Sequence, residues 1–334
     1  MGIAIAGTGS YLPEEVLTNE QLVDSLGVDE QWIVEKTGIK ERRVAAPSEA
    51  TSDLGTRAAE RALRTANVRA EEVDLIILAT ANPDQPIPAT ACFVQANIGA
   101  SRAVSFDVMA ACAGFVFALG TAYDMMLAEP EYRTALVIGS DIYSRSVDYT
   151  DRKTCVLLGD GAGAAVLRKT SDRAGILAKK IFSDGKMADL AHIPAGGTRN
   201  PASRETLDAR QHYLKMQGRE IKSIVDDLLP GLIFDLVRAA DVEFSQVKLI
   251  VPHQMNGAML NEWTTNLSVP SHIIHQTVAW SGNTGAASVA IALDDAVRHG
   301  VVSDDDVLLL VAFGAGLTWG GIALKWHSSN KASQ

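Results

Sequence analysis

The sequence predicts an α/β protein, with sheets covered on both faces by helices and built as two related halves. Three observations carry this. Short runs rich in β-branched and Leu residues alternate with longer segments of helical spacing. Those runs are apolar at nearly every position, the pattern of strands buried on both faces. The order of strand, helix and Gly-rich strand then occurs twice along the chain.

Ile3–Ala6, Leu75–Ala79, Ala135–Gly139, Leu249–Pro252 and Val307–Ala312 read as strands, each flanked by Gly, Pro or Asp. Ser52–Ala66 sets Leu54, Ala58, Ala62 and Leu63 at helical spacing. Phe115–Leu127 repeats the pattern with Phe115, Leu119 and Met126, and Ala286–His299 with Val289, Leu293 and Val297. DLIILATAN and LLGDGAGAAVL in the first half match VKLIVPHQMN and LVAFGAGLTWGG in the second. A division into residues 1–171 and 172–334 follows. Residues 171–215 are the most polar and turn-rich part and read as a junction plus a surface excursion.

Composition narrows the function. The 334 residues are 47% apolar and 21% charged, which excludes a disordered tail, a collagen-like repeat or a disulfide-stapled miniprotein. A net charge of −10 argues against general attraction to nucleic acid or anionic lipid. Cys92, Cys112 and Cys155 are too scattered for a disulfide frame or a CxxC metal site. No two histidines show zinc-ligand spacing beside a Cys or carboxylate, so no metal is expected. No run reaches about 18 uninterrupted apolar residues, so no membrane span is expected. The opening MGIAIAGTGSYLPEE lacks a basic start, and the expectation is a cytoplasmic protein.

Two Gly-rich segments invite a nucleotide reading that their surroundings oppose. Gly7-Thr-Gly9 lacks a third glycine and runs into Pro13, while Gly159-Asp-Gly161-Ala-Gly163 leads into a strand-like AAVL. Close packing and tight turns explain both. Cys112 differs. In FDVMAACAGFVFAL it stands where a strand gives way to small residues and a helix, and a helix start favours thiolate. The competing reading is an inert buried cysteine. A nucleophile needs a partner, and His253, at the end of the strand LIVPHQMN, and Asn283, in the turn WSGNTGAAS, are the candidates. A core histidine and an N-cap are the structural alternatives.

At these segments the chain resembles the 3-oxoacyl-[acyl-carrier-protein] synthase III family. The resemblance runs from GTGSYLPEEVLTNEQL and EQWIVEKTGIKERR through FDVMAACAGF and LLGDGAGAAVL to VPHQMN, GNTGAASVAIAL and FGAGLTWG. It implies a thiolase-like αβαβα fold, a homodimer, and decarboxylative condensation of an acyl group from acyl-CoA with a malonyl thioester. Cys112 would be the acylated nucleophile, and His253 and Asn283 would complete a triad. The backbone N–H groups of Cys112 and Ala315 would form an oxyanion hole. Trp32, Lys36, Arg152 and Asn256 would contact coenzyme A, and Ile87 would close the partner subunit's acyl pocket. No metal or redox cofactor is implied.

The chain departs from the family where relatives dock an acidic acyl carrier protein. The expected arginine is Ala258, the lysine positions are Thr265 and Asn266, and Glu262 carries the opposite sign. Charge steering toward a carrier is therefore reduced. Arg204, Arg210, Lys215, Arg219 and Lys222 are candidates for a displaced basic patch, against a plain solvated surface. Two alternatives to condensation are plain acyl transfer from Cys112 to a small alcohol or amine, and a catalytically dead scaffold.

Overall fold

In this computed structural model, which describes residues 2–171 and 174–327, two sheets sandwich a layer of helices. The first sheet orders its strands as Gly2–Tyr11, Asp160–Thr170, Thr134–Ile142, Leu75–Ala79 and Val104–Val108. The second runs Gly175–Ser183, Thr318–Lys325, Val307–Gly314 and Val247–Pro252. In both, two antiparallel pairings are followed by a parallel one. The first sheet adds Val104–Val108 in parallel, and the second adds only a parallel bridge from Ile250 to Ile274. The duplicated order in the sequence is thus a duplicated topology. The expected boundary abuts residues 172 and 173, which lie outside the described residues.

Alternation along each strand explains the layers. Leu75, Ile77 and Ala79 face inward with Leu249, Val251, Leu308 and Leu310, while Ile76 and Leu78 face out. The helices Gly114–Ala128 and Ser288–Arg298 fill the space between the sheets. Helix Thr51–Ala66 covers the outer face of the first sheet, and helix Gly218–Ala239 that of the second. Helices on all three levels make five layers. Among the described residues one helical run, Ala111–Ala128, is long and apolar enough to cross a membrane. It is the central core helix, apolar all round because both sheets cover it.

The Gly-rich segments serve packing. Gly7 and Gly9 let their strand approach helix Thr51–Ala66 so closely that a Cβ would run into Ala66 and Ala62. Residues 171–215 hold more order than expected. Gly175–Ser183 is the outer strand of the second sheet, and its outer half lies toward solvent, which made it read as loop. Beyond it, the polar excursion hangs on Arg210, whose guanidinium donates to Asp148 Oδ2 at 2.8 Å and Oδ1 at 2.5 Å. That pairing holds the Asp148 carboxyl well below the usual range.

The halves are also tied by hydroxyls. Thr8 and Ser10 on the first strand donate to buried Asp294 on the second half's central helix, at 2.9 and 2.6 Å. Asp294→Ala would orphan both donors, a loss of about 1–3 kcal/mol. Calorimetric melting of the variant is expected to show a lowered Tm, and an unchanged melt would refute the tie.

Candidate active site

Cys112 occupies a short 3-10 turn, Ala111–Ala113, that runs directly into helix Gly114–Ala128. Ala111 holds a left-handed φ of 46°, so the chain bends sharply before the thiol. The close of strand Val307–Gly314 presses on this turn. A Cβ on Gly314 would lie 2.7 Å from Ala113 N and 2.9 Å from Cys112 N, so only glycine fits. The same arrangement recurs in the second half, where the turn Gly285–Ala287 enters helix Ser288–Arg298 just after Asn283.

His253 follows its strand directly, with its N–H bonded to Val311 O at 2.8 Å. Its Nδ1 meets Ser288 Oγ at 2.6 Å. A hydroxyl donating to Nδ1 puts the ring proton on Nε2. Burial pulls the imidazole down to about 3, so the ring is neutral. Asn283 Oδ1 accepts from Gly285 N at 3.0 Å, which leaves Nδ2 as its free donor. Cys112, His253, Asn283 and Ala315 line one cavity of about 100 Å³. Met187, Leu190, Leu214 and Met216 of the polar excursion help line it. Their isolated apolar positions in a polar stretch were the only signal.

The thiol differs from expectation. The helix start is where the sequence places it, yet burial and the Asp141 carboxylate push it up to about 12. A neutral thiol therefore faces a neutral imidazole at rest. Asp141 is wholly buried at the end of strand Thr134–Ile142. It accepts from Thr80 Oγ1 at 2.9 Å and Ala81 N at 2.7 Å in the first half, and from Ala286 N at 2.7 Å in the second. Burial raises it to about 7 despite these donors. Asp141 and Ser288 escaped the sequence reading. A lone carboxylate ending an otherwise apolar strand was the signal for the first.

The other expected residues lie apart from this cavity. The Arg152 guanidinium sits 5.5 Å from the centroid of the Trp32 ring, so the two already stack. Lys36 is exposed in the last turn of helix Glu30–Thr37. Asn256 caps helix Gly257–Asn266 through Met259 N at 3.2 Å and donates to Lys36 O at 3.0 Å. Ile87 is 84% exposed and outside this chain's own cavity. Cys92 and Cys155 are also outside it, and burial raises the Cys155 thiol to about 11. Among the described residues no cluster could hold a metal.

The basic patch does not form. Lys222 Nζ pairs with Asp226 and Glu262, each at 2.6 Å, and Arg210 and Lys215 both pair with Asp148. Of the five candidates, Arg204 and Arg219 are exposed and in no ion pair among the described residues.

Models of 3-oxoacyl-[acyl-carrier-protein] synthase III match residues 106–185, and models of its C-terminal domain match 237–326. The chain is 42% identical over 322 residues to a beta-ketoacyl-[acyl-carrier-protein] synthase III of Caldanaerobacter subterraneus, covering 96% of this chain and 97% of that one. It is 43% identical over 324 residues to the acetoacetyl CoA synthase NphT7 of a Streptomyces species, covering 96% and 98%. The crystal structure of 3-oxoacyl-[acyl-carrier-protein] synthase III from Aquifex aeolicus superposes with a TM-score of 0.89 at 39% identity, covering 97% of this chain and all 100% of that one. The duplicated five-layered frame is therefore thiolase-like, and the chain belongs to the 3-oxoacyl-[acyl-carrier-protein] synthase III family of decarboxylating condensing acyltransferases.

Proposed function

We propose that the enzyme loads an acyl group from acyl-CoA onto Cys112 and condenses it with malonyl-CoA. The observation that carries this is the single cavity lined by Cys112 from one half and His253, Asn283 and Ala315 from the other. That cavity, about 100 Å³ in volume and lined mostly by apolar side chains, gives an acyl chain room beside the thiol.

In the first step Cys112 Sγ bonds to the thioester carbon, the bond to the coenzyme A sulfur breaks, and the thiol proton ends on that sulfur. Cys112 and Ala315 N–H groups receive the oxyanion. In the second, malonyl thioester loses carbon dioxide, and the enolate oxygen takes hydrogen bonds from His253 Nε2 and Asn283 Nδ2. The carbanion then bonds to the acyl-cysteine carbonyl carbon, and the bond to Cys112 Sγ breaks. The 3-oxoacyl thioester is released, and the Cys112 thiolate takes a proton from water. A thioester and fixed donors supply this chemistry, so neither metal nor redox cofactor enters the proposal. Trp32, Arg152 and Lys36 form the outer coenzyme A contact, with the Arg152–Trp32 stack opening to admit adenine. Use of free coenzyme A thioesters supports a cytoplasmic enzyme.

Charge at the cavity side supports coenzyme A as the extender's carrier. With Lys222 held by Asp226 and Glu262, this face offers little to an acidic protein partner. A homodimer is supported by the unpaired edge strand Val104–Val108 beside exposed Ile87 and Met109.

Cys112→Ala is expected to gain no acyl mass with acetyl-CoA and to release no product. His253→Ala and Asn283→Ala should load normally but lose about 10²–10³ in carbon dioxide release from malonyl-CoA. Equal loss in both half-reactions would refute this division. With malonyl carrier protein, kcat/KM should change little between low and physiological salt, and Ala258→Arg should raise it selectively. A steep salt dependence in the wild type would refute the extender assignment. Sedimentation should give twice the 35.6 kDa chain mass, and Met109→Glu should lower it to one chain, whereas a wild-type monomer would remove the dimer.

A further inference from the structure

Four side chains lining the cavity are polar, and the steps above use three of them. The fourth is Tyr143, buried in the turn Tyr143–Arg145 that follows the Asp141 strand. Its ring is fixed from behind by the second half. Gly285 turns there with a φ of 57°, and a Cβ on it would run into the Tyr143 ring and the Asp141 carboxylate. The Tyr143 phenol and the Cys112 thiol line the same cavity.

We propose that Tyr143 is a positioning residue for the nucleophile: its hydroxyl donates to Cys112 Sγ, aims it at the entering thioester and stabilises the thiolate as it forms. The inference rests on Cys112 being the acylated residue. Asp141 and Tyr143 are the titratable side chains that act on the Cys112 thiol, and His253 shares its cavity. Of the elements packed on the Cys112 turn, Val307–Gly314 and Gly285–Ala287 add none. Lys325 of strand Thr318–Lys325 and Tyr123 and Asp124 of helix Gly114–Ala128 lie outside the cavity lining. His253 is neutral, and Asp141 opposes the thiolate. Burial and Asp141 keep the phenol protonated far above its usual range, so it is a permanent donor. It is the one side chain here whose interaction favours the anionic sulfur. Tyr143 keeps its proton through the step, and the thiol proton leaves with coenzyme A.

Tyr143→Phe keeps the ring against Gly285 and removes only the hydroxyl. Cys112 alkylation by iodoacetamide, followed by mass spectrometry across pH, reports its thiolate. A raised thiol makes the rate climb with pH and not level near neutrality. Losing a hydrogen bond to a charged group should move the whole curve up by about one unit, with roughly tenfold slower acetyl loading at neutral pH. Superimposable curves would overturn the proposal, as would slower loading with an unmoved curve, the mark of ring packing alone. Wild-type protein that gains no acetyl mass at Cys112 would instead defeat the nucleophile assignment itself.

Discussion

The Asp141 carboxylate holds the site together. It is the buried acceptor shared by the first half, through Thr80 and Ala81, and by the second, through Ala286. An anion in such a place is costly unless donors converge on it. Those donors fix the turn that follows Asn283 against the strand leading to Tyr143 and opposite Cys112. The register between halves is set within the reach of a hydrogen bond. Burial and, beside it, the same charge disfavour a second anion nearby, so the nucleophile rests as a thiol.

The duplicated frame explains how one cavity collects groups so distant in sequence. Each half sends a 3-10 turn into a helix of the central layer, one bearing Cys112 and the other following Asn283. His253 joins them at the end of the strand that pairs with Val307–Gly314. Tertiary placement brings the chemistry together, and no local motif holds all of it. Cys112, His253 and Asn283 are neutral at rest. Charge appears only when substrate brings it, and the fixed donors are already aimed at where it forms.

Much of this was legible in the sequence, for a physical reason. Strands buried on both faces are apolar throughout, and Leu75–Ala79 and Leu249–Pro252 could be read within a few residues of their observed ends. Cys112, His253 and Asn283 stood out because each sits where an element starts or stops. Gly175–Ser183 did not, because its outer half lies toward solvent and leaves no buried pattern. The thiol's protonation was misjudged because the helix start is visible in sequence, while the burial of Cys112 and the opposing Asp141 are not. Lys222 looked free for the same reason, since its partner Glu262 lies on another helix.

The excursion across residues 185–216 has a different consequence. It supplies Met187, Leu190, Leu214 and Met216 to the cavity while standing outside both sheets, moored by the Asp148–Arg210 pair. Machinery and fit are therefore inherited on separate stretches of polypeptide. Selection can reshape that roof, one flexible methionine at a time, without disturbing the frame that carries the chemistry. A lineage built this way changes its diet before it changes its reaction.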